Sequence, residues 1–440
     1  MSIPITETTT SIGSNTPVTT QAWPKWPSHD SGTLKVITEV LKSTRWTISG
    51  AYSGQEAYER RFARAFAEYC GTRYCTPVTS GTSALTISLL ALGIGAGDEV
   101  LIPGLTWVAC ASATCSVGAV PVLVDIDPES MAMSPQAAEA RINSKTKAIL
   151  LVHAYCRTAD IDSFVDICER YKIPLIEDCS QAHGAMWRGR KVGTFGALGC
   201  FSMQQAKVLT SGEGGAVVTS DPVLAEKLEQ LRADGRLFSG TPEERRLELV
   251  ERGTVQGQNF CLTEFQSAIL LDRLQHLDRQ NAQREECAET LQVLFKGEED
   301  FVTFLRRDPR NTRCTYYNLV MKVGLEKYFP GCTIDALALA MTEVLNVQVS
   351  PLYQPMNKFT LYNPLSSPRI KNFSNKGDFE PTCYQLPQAE SARRHHITLP
   401  NWVLLGGAGA AQRIAQALRT LVAQPHKVLS ARQAPTSDAF

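Results

Sequence analysis

The sequence lacks the features that mark several large classes of protein. Its 44 basic and 44 acidic residues leave no net charge, so a basic surface for nucleic acid is not implied. No apolar run approaches the ~18–20 residues that a membrane span needs. The amino terminus has no basic region followed by an apolar one, as a secretory signal would have. We therefore predict a protein that binds neither nucleic acid nor membrane.

Cysteine is present, but not in the arrangements that bind zinc. The 13 cysteines are scattered, with no CxxC pair and no His/Cys cluster at zinc-ligand spacing. Several lie inside apolar stretches, which is typical of buried, reduced thiols. This usage favours a cytoplasmic protein without a metal site.

The pattern along the chain predicts an α/β fold. At 440 residues the chain exceeds the size at which one core stops growing, which indicates two domains. Helical patterns alternate with short β-branched runs over residues 83–219, as in a mostly parallel central sheet. The run at 215–219 follows its predecessor closely enough to be antiparallel. The predicted order is a flexible tail (1–21), a large domain with N-terminal helices (22–262), a linker helix (263–294), a small α+β domain (295–425) and a flexible tail (426–440).

Two clusters that contain glycine have different interpretations. Residues 93–98 resemble the start of a dinucleotide-binding fingerprint, but they follow a helix and precede a strand, the reverse of that motif's order. They predict a helix C-cap and a turn. Residues 80–84 open a helix, where backbone N–H groups and hydroxyl side chains suit a phosphate. Taken alone, this cluster is an ordinary N-cap; with Ser202 it becomes a candidate seat for a monophosphate.

The pair Asp178 and Lys207 carries the strongest functional signal. Asp178 ends the apolar run 173–177, and Lys207 stands between 201–206 and the glycine-rich stretch 212–215. An acid at the end of one buried strand and a lysine just past the end of the next could face one planar cofactor. The acid would keep a pyridinium nitrogen protonated, and the amine would form a Schiff base. These are the protein's contributions to pyridoxal 5'-phosphate (PLP) chemistry, so the pair predicts a PLP enzyme.

Two further side chains have open interpretations. Trp107 lies at a predicted strand-to-helix junction, where its ring could stack on a planar cofactor, but an isolated tryptophan is as often part of the core. His183 follows the same strand as Asp178, and it is either part of the site or a satisfied structural histidine.

Several motifs in a fixed order give the chain a family resemblance. Over nearly its whole folded length it resembles the DegT/DnrJ/StrS sugar aminotransferases, PLP enzymes of the aspartate-aminotransferase fold (fold type I). Within that family it is most similar to the L-glutamine:2-deoxy-scyllo-inosose aminotransferases of aminocyclitol antibiotic pathways. The matching segments are residues 23–27, 45–50, 79–85, 103–108, 177–184, 200–210, 212–215, 257–270 and 316–317.

The resemblance implies a role for each matching site residue. It makes Lys207 the Schiff-base lysine and Asp178 the partner of the pyridinium nitrogen. The remaining implied cofactor contacts are Gln181 to the phenolic oxygen, Trp107 on the ring, and Gly81, Thr82, Ser202 and the neighbouring subunit's Asn259 to the phosphate. The resemblance further implies a homodimer with sites at the interface, and Lys207 excludes the dehydratase branch, in which histidine replaces the lysine.

The predicted function is transfer of an amino group, from L-glutamine, to a keto-cyclitol or keto-sugar in antibiotic biosynthesis. The alternatives are a PLP dehydratase that forms 3-amino-5-hydroxybenzoate, a nucleotide-sugar aminotransferase, and a non-catalytic PLP-binding sensor. Cys156 stands where the family usually has glycine, and Cys261 stands where many members have arginine. Segments 347–353 and 395–400 match more loosely and are expected to shape the acceptor pocket. The sequence fixes neither the acceptor, nor whether glutamine is the sole donor, nor the number of transaminations.

Overall fold

The computed structural model describes residues 22–239, 246–367, 370 and 376–431. The predicted tail over 1–21 lies outside this range, as do residues 432–440 of the second predicted tail. The α-helices are α1 Ser31–Ser43, α2 Tyr58–Cys70, α3 Gly81–Ala91, α4 Ala109–Ser116, α5 Pro135–Glu139, α6 Ile161–Tyr171, α7 Pro222–Arg232, α8 Glu264–Leu294, α9 Leu325–Tyr328, α10 Ile334–Leu345, α11 Pro387–His395, α12 Gly407–Ala423 and α13 His426–Ala431. The strands are β1 Tyr74–Val78, β2 Glu99–Pro103, β3 Val120–Val124, β4 Thr146–Val152, β5 Leu175–Asp178, β6 Met186–Trp187, β7 Arg190–Lys191, β8 Leu198–Ser202, β9 Gly215–Thr219, β10 Arg236–Phe238, β11 Leu249–Glu251, β12 Val302–Phe304, β13 Asn311–Arg313, β14 Asn318–Val323, β15 Ser350–Pro351 and β16 His396–Pro400.

A seven-stranded sheet forms the centre of the molecule. Its order is β1-β9-β8-β5-β4-β2-β3, and the ladders from β8 through β5, β4 and β2 to β3 are all parallel. Only β9 runs antiparallel to its neighbours, β8 and β1. The predicted mostly parallel sheet is therefore confirmed, and so is the antiparallel strand after Lys207. The strands carry near-continuous apolar residues because helices cover both faces of such a sheet.

Helix α8 runs for 31 residues, where the sequence predicts a helix over 263–294. It begins at a capping box, in which Thr263 and Gln266 satisfy each other's backbone N–H groups. The side chain of Glu264 accepts from the N–H groups of Tyr58 and Glu59 at 2.6 and 3.0 Å. The start of α8 thereby caps α2, which fixes the two helices against each other.

A second, four-stranded antiparallel sheet has the order β12-β14-β16-β15. It lies within the segment that the sequence assigns to a small domain, and that assignment stays a prediction. The flexible tail expected from residue 426 is corrected in part, because residues 426–431 form α13, which packs on α10 and buries Val428. Among the described residues, no helix is both long and apolar enough to span a membrane.

Candidate active site

The predicted site residues gather at one edge of the seven-stranded sheet. Parallel strands place their carboxyl ends at the same edge, where open α/β sheets usually bind ligands. Asp178 is the last residue of β5, and Ser202 is the last residue of the adjacent strand β8. Lys207 follows in the loop between β8 and β9. The spacing seen in the sequence therefore corresponds to neighbouring strand ends.

Asp178 is held rigidly, with 5% of its surface exposed. Its Oδ1 accepts from the backbone N–H of Ser180 at 2.9 Å, and its Oδ2 accepts from the Cys110 thiol at 3.5 Å. Cys110 belongs to α4, which begins two residues after Trp107. The Cys110 contact thus brings the start of α4 to the carboxylate.

Lys207 lies on a tight loop with little freedom. The loop is closed at its neck, where Met203 N–H donates to Gly214 O at 2.7 Å, and Lys207 N–H donates to Gln204 O at 2.8 Å. The side chain is 9% exposed, and its Nζ lies 4.1 Å from the centre of the Tyr317 ring. Among the described residues, no ion pair involves this amine. A buried amine without a carboxylate partner is costly, and such a lysine is a candidate for chemistry.

The amino terminus of α3 packs directly on the ends of β8 and β9. Ser80 is the N-cap, and its Oγ accepts from Ser83 N–H at 3.0 Å. A Cβ on Gly81 would lie 2.6 Å from the Cβ of Ser202, and one on Gly215 would lie 2.3 Å from Ser80 O. Only glycine fits at both positions. The exposed Thr82 follows in the first turn, so the predicted phosphate residues do come together.

Gln181 connects Asp178 to a group of aromatic rings. Its Oε1 accepts from Tyr155 N–H at 2.6 Å, which leaves its amide nitrogen as a donor. Tyr155 has a left-handed φ of +57° and stacks on Tyr353 with ring centres 5.5 Å apart. Tyr353 hydrogen-bonds Tyr317 and Gln181 through its hydroxyl. Desolvation and the nearby tyrosines raise the pKa of Tyr353, so the hydroxyl remains a donor at neutral pH.

Trp107 stands at the mouth of the site rather than in the core. It is 38% exposed, and its ring lies 5.8 Å from that of Tyr353 and 5.9 Å from that of Phe359. Of the two interpretations left open by the sequence, the exposed position favours a ring available to a ligand. Tyr353 comes from segment 347–353, one of the two expected at the acceptor pocket. The other, 395–400, consists mainly of the buried strand β16.

His183 is fully buried, and neither ring nitrogen has a hydrogen-bond partner among the described residues. Burial, followed by the charge of Lys207, lowers the pKa of His183 to about 3. The ring is therefore neutral and close to the catalytic lysine. Beneath the site, His153 donates from Nε2 to Glu177 at 3.1 Å while its Nδ1 accepts from Ala159 N–H. Glu177 also accepts three backbone N–H groups, so this pair is saturated.

Three predicted positions lie outside this cluster or behind it. Asn259 is exposed, and the next residue, Phe260, accepts from Thr79 N–H at 3.0 Å, beside the phosphate seat. Cys156 is buried in the core behind Tyr155, and burial raises the pKa of its thiol. The Cys261 thiol is half-buried and donates to Arg232 O at 3.4 Å.

Sequence reasoning missed several residues that complete the site. Tyr155, Tyr353 and Phe359 carry no short motif and approach the site from segments far apart in the chain. The hydrogen bond between Tyr353 N–H and the Tyr155 hydroxyl joins positions 198 residues apart. The signal that was available was the loose match at 347–353.

The sequence profile of the DegT/DnrJ/EryC1/StrS aminotransferase family matches residues 27–419. The chain belongs to this family. The resemblance predicted from the motifs is thus confirmed. An L-glutamine:2-deoxy-scyllo-inosose aminotransferase of Streptomyces kanamyceticus is 44% identical over 433 residues, which cover 98% of this chain and 100% of that protein.

Solved structures confirm the predicted fold. The crystal structure of 3-amino-5-hydroxybenzoic acid synthase is 28% identical with a TM-score of 0.78, and the match covers 92% of this chain and 99% of that chain. The crystal structure of NtdA from Bacillus subtilis, with bound cofactor PMP, is 25% identical with a TM-score of 0.71. That match covers 89% of this chain and 82% of NtdA.

Proposed function

We propose that this family member is a PLP-dependent aminotransferase that moves an amino group from L-glutamine to a keto-cyclitol such as 2-deoxy-scyllo-inosose. The observation that carries the proposal is the placement of buried Lys207 and Asp178 beyond the ends of two adjacent parallel strands. The relative from S. kanamyceticus, matched over its full length, supports the donor and the acceptor. The 3-amino-5-hydroxybenzoate alternative has support only from a more distant protein.

The residues present fit PLP. The start of α3 offers N–H groups and hydroxyls for the phosphate, and Gly81 leaves room at Ser202. Asp178 offers an acceptor for a protonated ring nitrogen, and Gln181 has a free amide donor for the phenolic oxygen. Trp107 offers an accessible ring for stacking. The buried His183, with no partner at either nitrogen, is a further polar group that points to a missing ligand.

When bound, PLP supplies an electron sink for the carbanion that forms when a Cα–H bond breaks. The carboxylate of Asp178 would hold the proton on the pyridine nitrogen and so keep the ring electron-poor. The amine of Lys207 would take the proton from the donor's Cα and return it on the opposite side of the new C–N bond, as a general base and then a general acid. The same amine works in reverse for the ketone.

One labelling experiment tests the cofactor site. The protein is incubated with PLP, reduced with borohydride and digested, and the peptide that carries the added mass is identified. Label on Lys207, and no label in Lys207→Ala, is the expected result. Label on another lysine in the wild-type protein would contradict the assignment.

A product assay tests the reaction. Loaded enzyme, L-glutamine and 2-deoxy-scyllo-inosose should yield the aminated cyclitol by mass analysis, and Lys207→Ala should yield none. A nucleotide-linked keto-sugar serves as the competing acceptor. A protein that loads PLP but aminates only the nucleotide sugar would overturn the acceptor assignment while leaving the cofactor site intact. Repeated addition of amino groups to one product would show whether one or two transaminations occur.

We further propose a homodimer in which Asn259 reaches the phosphate of the partner's site. Its exposure beside Thr79 supports a role across an interface. A mixture of Lys207→Ala and Asn259→Ala chains tests this arrangement. If Asn259 acts across the interface, a mixed dimer contains one site with both residues intact, so activity rises above either variant alone. No gain on mixing would place Asn259 in its own subunit's site.

The proposed location is the cytoplasm. The support is cysteine usage, because all 13 cysteines are free thiols, as expected in a reducing compartment.

A further inference from the structure

Arg284, on α8, is fully buried, and none of the carboxylates among the described residues forms an ion pair with it. Burial lowers the pKa of Arg284 to about 9, so the guanidinium is still charged at neutral pH. A buried charge without a counter-ion is expensive. Such a residue calls for an account of what its donors do.

The donors of Arg284 go to two asparagines. Its Nη2 donates to Asn401 Oδ1 at 3.0 Å, its Nε donates to Asn401 O at 3.3 Å, and its Nη1 donates to Asn281 Oδ1 at 3.2 Å. Both asparagines are fully buried. An arginine has only donors, so it accepts no contact from an amide nitrogen. It therefore forces the oxygen of each amide toward itself and the nitrogen away.

The two amide nitrogens then point at the backbone of the candidate active site. Asn401 Nδ2 donates to Ala206 O at 2.8 Å, and this carbonyl belongs to the residue just before Lys207. Asn281 Nδ2 donates to His183 O at 2.9 Å. If either amide rotated by half a turn, a carbonyl oxygen would face a carbonyl oxygen.

A fourth residue completes the support of the lysine loop. Trp26 lies against the guanidinium, with the Arg284 Cζ 5.1 Å from its ring centre, and its Nε1 donates to Gln205 O at 3.0 Å. The carbonyls of residues 205 and 206 are thus held by an indole and an amide from opposite ends of the chain. Arg284 touches both supporting groups.

We propose that Arg284 is a positioning residue for Lys207, which acts by fixing the amide orientation with which Asn401 and Asn281 hold the backbone on the two sides of the site. The inference rests on the proposed PLP site. Its measurable consequence is the rate at which the Lys207 amine condenses with the aldehyde of PLP. In that step Nζ forms a double bond to the aldehyde carbon, and the aldehyde oxygen leaves as water.

The variant Asn401→Asp separates positioning from plain stability. Its carboxylate keeps and strengthens the contact with Arg284, but it has no donor for Ala206 O. We expect the thermal midpoint of the apo protein to be retained, and condensation, followed by the cofactor's absorbance change, to slow by at least about tenfold, the size of one lost buried hydrogen bond with added repulsion. The matched control is Asn346→Asp, at an exposed C-cap in the left-handed region that aspartate tolerates, and it should load PLP at the wild-type rate.

A purely structural Arg284 predicts a different result, namely wild-type condensation in a folded Asn401→Asp protein, and that result overturns the proposal. If Asn401→Asp lowers the thermal midpoint beyond the control, Trp26→Phe decides, because it removes the donor to Gln205 O and keeps a ring over Arg284. Slowed condensation supports the proposal, and a wild-type rate overturns it. Failure of the PLP site itself is distinct, since the wild-type protein would then gain no label on Lys207.

Discussion

The contact between the start of α3 and the end of β8 yields a sharp prediction for Gly81→Ala. The new methyl carbon would lie 2.6 Å from Ser202 Cβ and 3.2 Å from both Ser202 Cα and Oγ. Ordinary carbon–carbon contact needs roughly 3.5–4.0 Å, so helix and strand must separate by about 1 Å. No rotamer relieves the clash, because a Cβ is fixed to the backbone. Overpacking of this kind costs about 1–3 kcal/mol.

The same displacement should weaken the proposed phosphate seat. We expect Gly81→Ala to lower the denaturation midpoint and to raise the Kd for PLP, both measured against Gly409→Ala. Gly409 is exposed within α12, and a Cβ there meets nothing within 4 Å. Alanine at that position should be neutral or should stabilise by up to about 1 kcal/mol.

A double variant tests the physical cause. Gly81→Ala with Ser202→Gly removes the atom that the new methyl would meet, so stability should recover beyond the sum of the single effects. Recovery of PLP affinity should be smaller, because the Ser202 hydroxyl is also lost. A Gly81→Ala protein that unfolds at the wild-type midpoint and binds PLP normally would refute the close packing of α3 on β8.

Three further outcomes follow from buried charge, from histidine and from the aromatic group. Arg232 donates to Glu59 at 2.7 Å, and both side chains are fully buried, so Arg232→Met should cost about 3 kcal/mol in chemical denaturation; an unchanged midpoint would mean that the pair is not isolated from water. For His183, the folded pKa of about 3 lies below the ordinary 6.5, so the stability it contributes is full above pH 6.5 and falls as pH decreases. The loss should reach about 2 kcal/mol at pH 5, and His183→Gln should show a correspondingly flatter midpoint against pH; equal slopes would contradict a neutral buried ring. Tyr353→Phe removes one hydroxyl and should raise KM for the ketone about five- to tenfold, while PLP loading stays unchanged; a loading defect with normal KM would instead assign Tyr353 to the cofactor.

The sequence predicted those parts of the site that local order along the chain determines. Asp178 and Lys207 stand out because each follows a buried strand, and adjacent parallel strands end at one edge. The start of α3 stands out because N-caps and helix-opening glycines have a composition of their own. Each of these features depends on a few consecutive residues.

Contacts between distant segments were not predictable in this way. The bond from Arg284 to Asn401 spans 117 residues, and that from Trp26 to Gln205 spans 179. A lone arginine in a helix reads as a surface residue, and only the fold shows that it is buried and faces two amides. The helix over 426–431 was missed because its buried face is a single valine.

The placement of these residues separates the reaction chemistry from the choice of acceptor. The candidate cofactor residues stand at the strand ends of the seven-stranded sheet, where each is fixed by backbone hydrogen bonds. Tyr317 precedes β14 and Tyr353 follows β15, so both flank the four-stranded sheet and reach the site from outside. Because they contact Lys207 and Gln181 only through their side chains, substitutions there can reshape the acceptor side without moving Asp178 or the lysine loop. This arrangement accounts for a family in which related chains share one fold yet carry different names for what they act on.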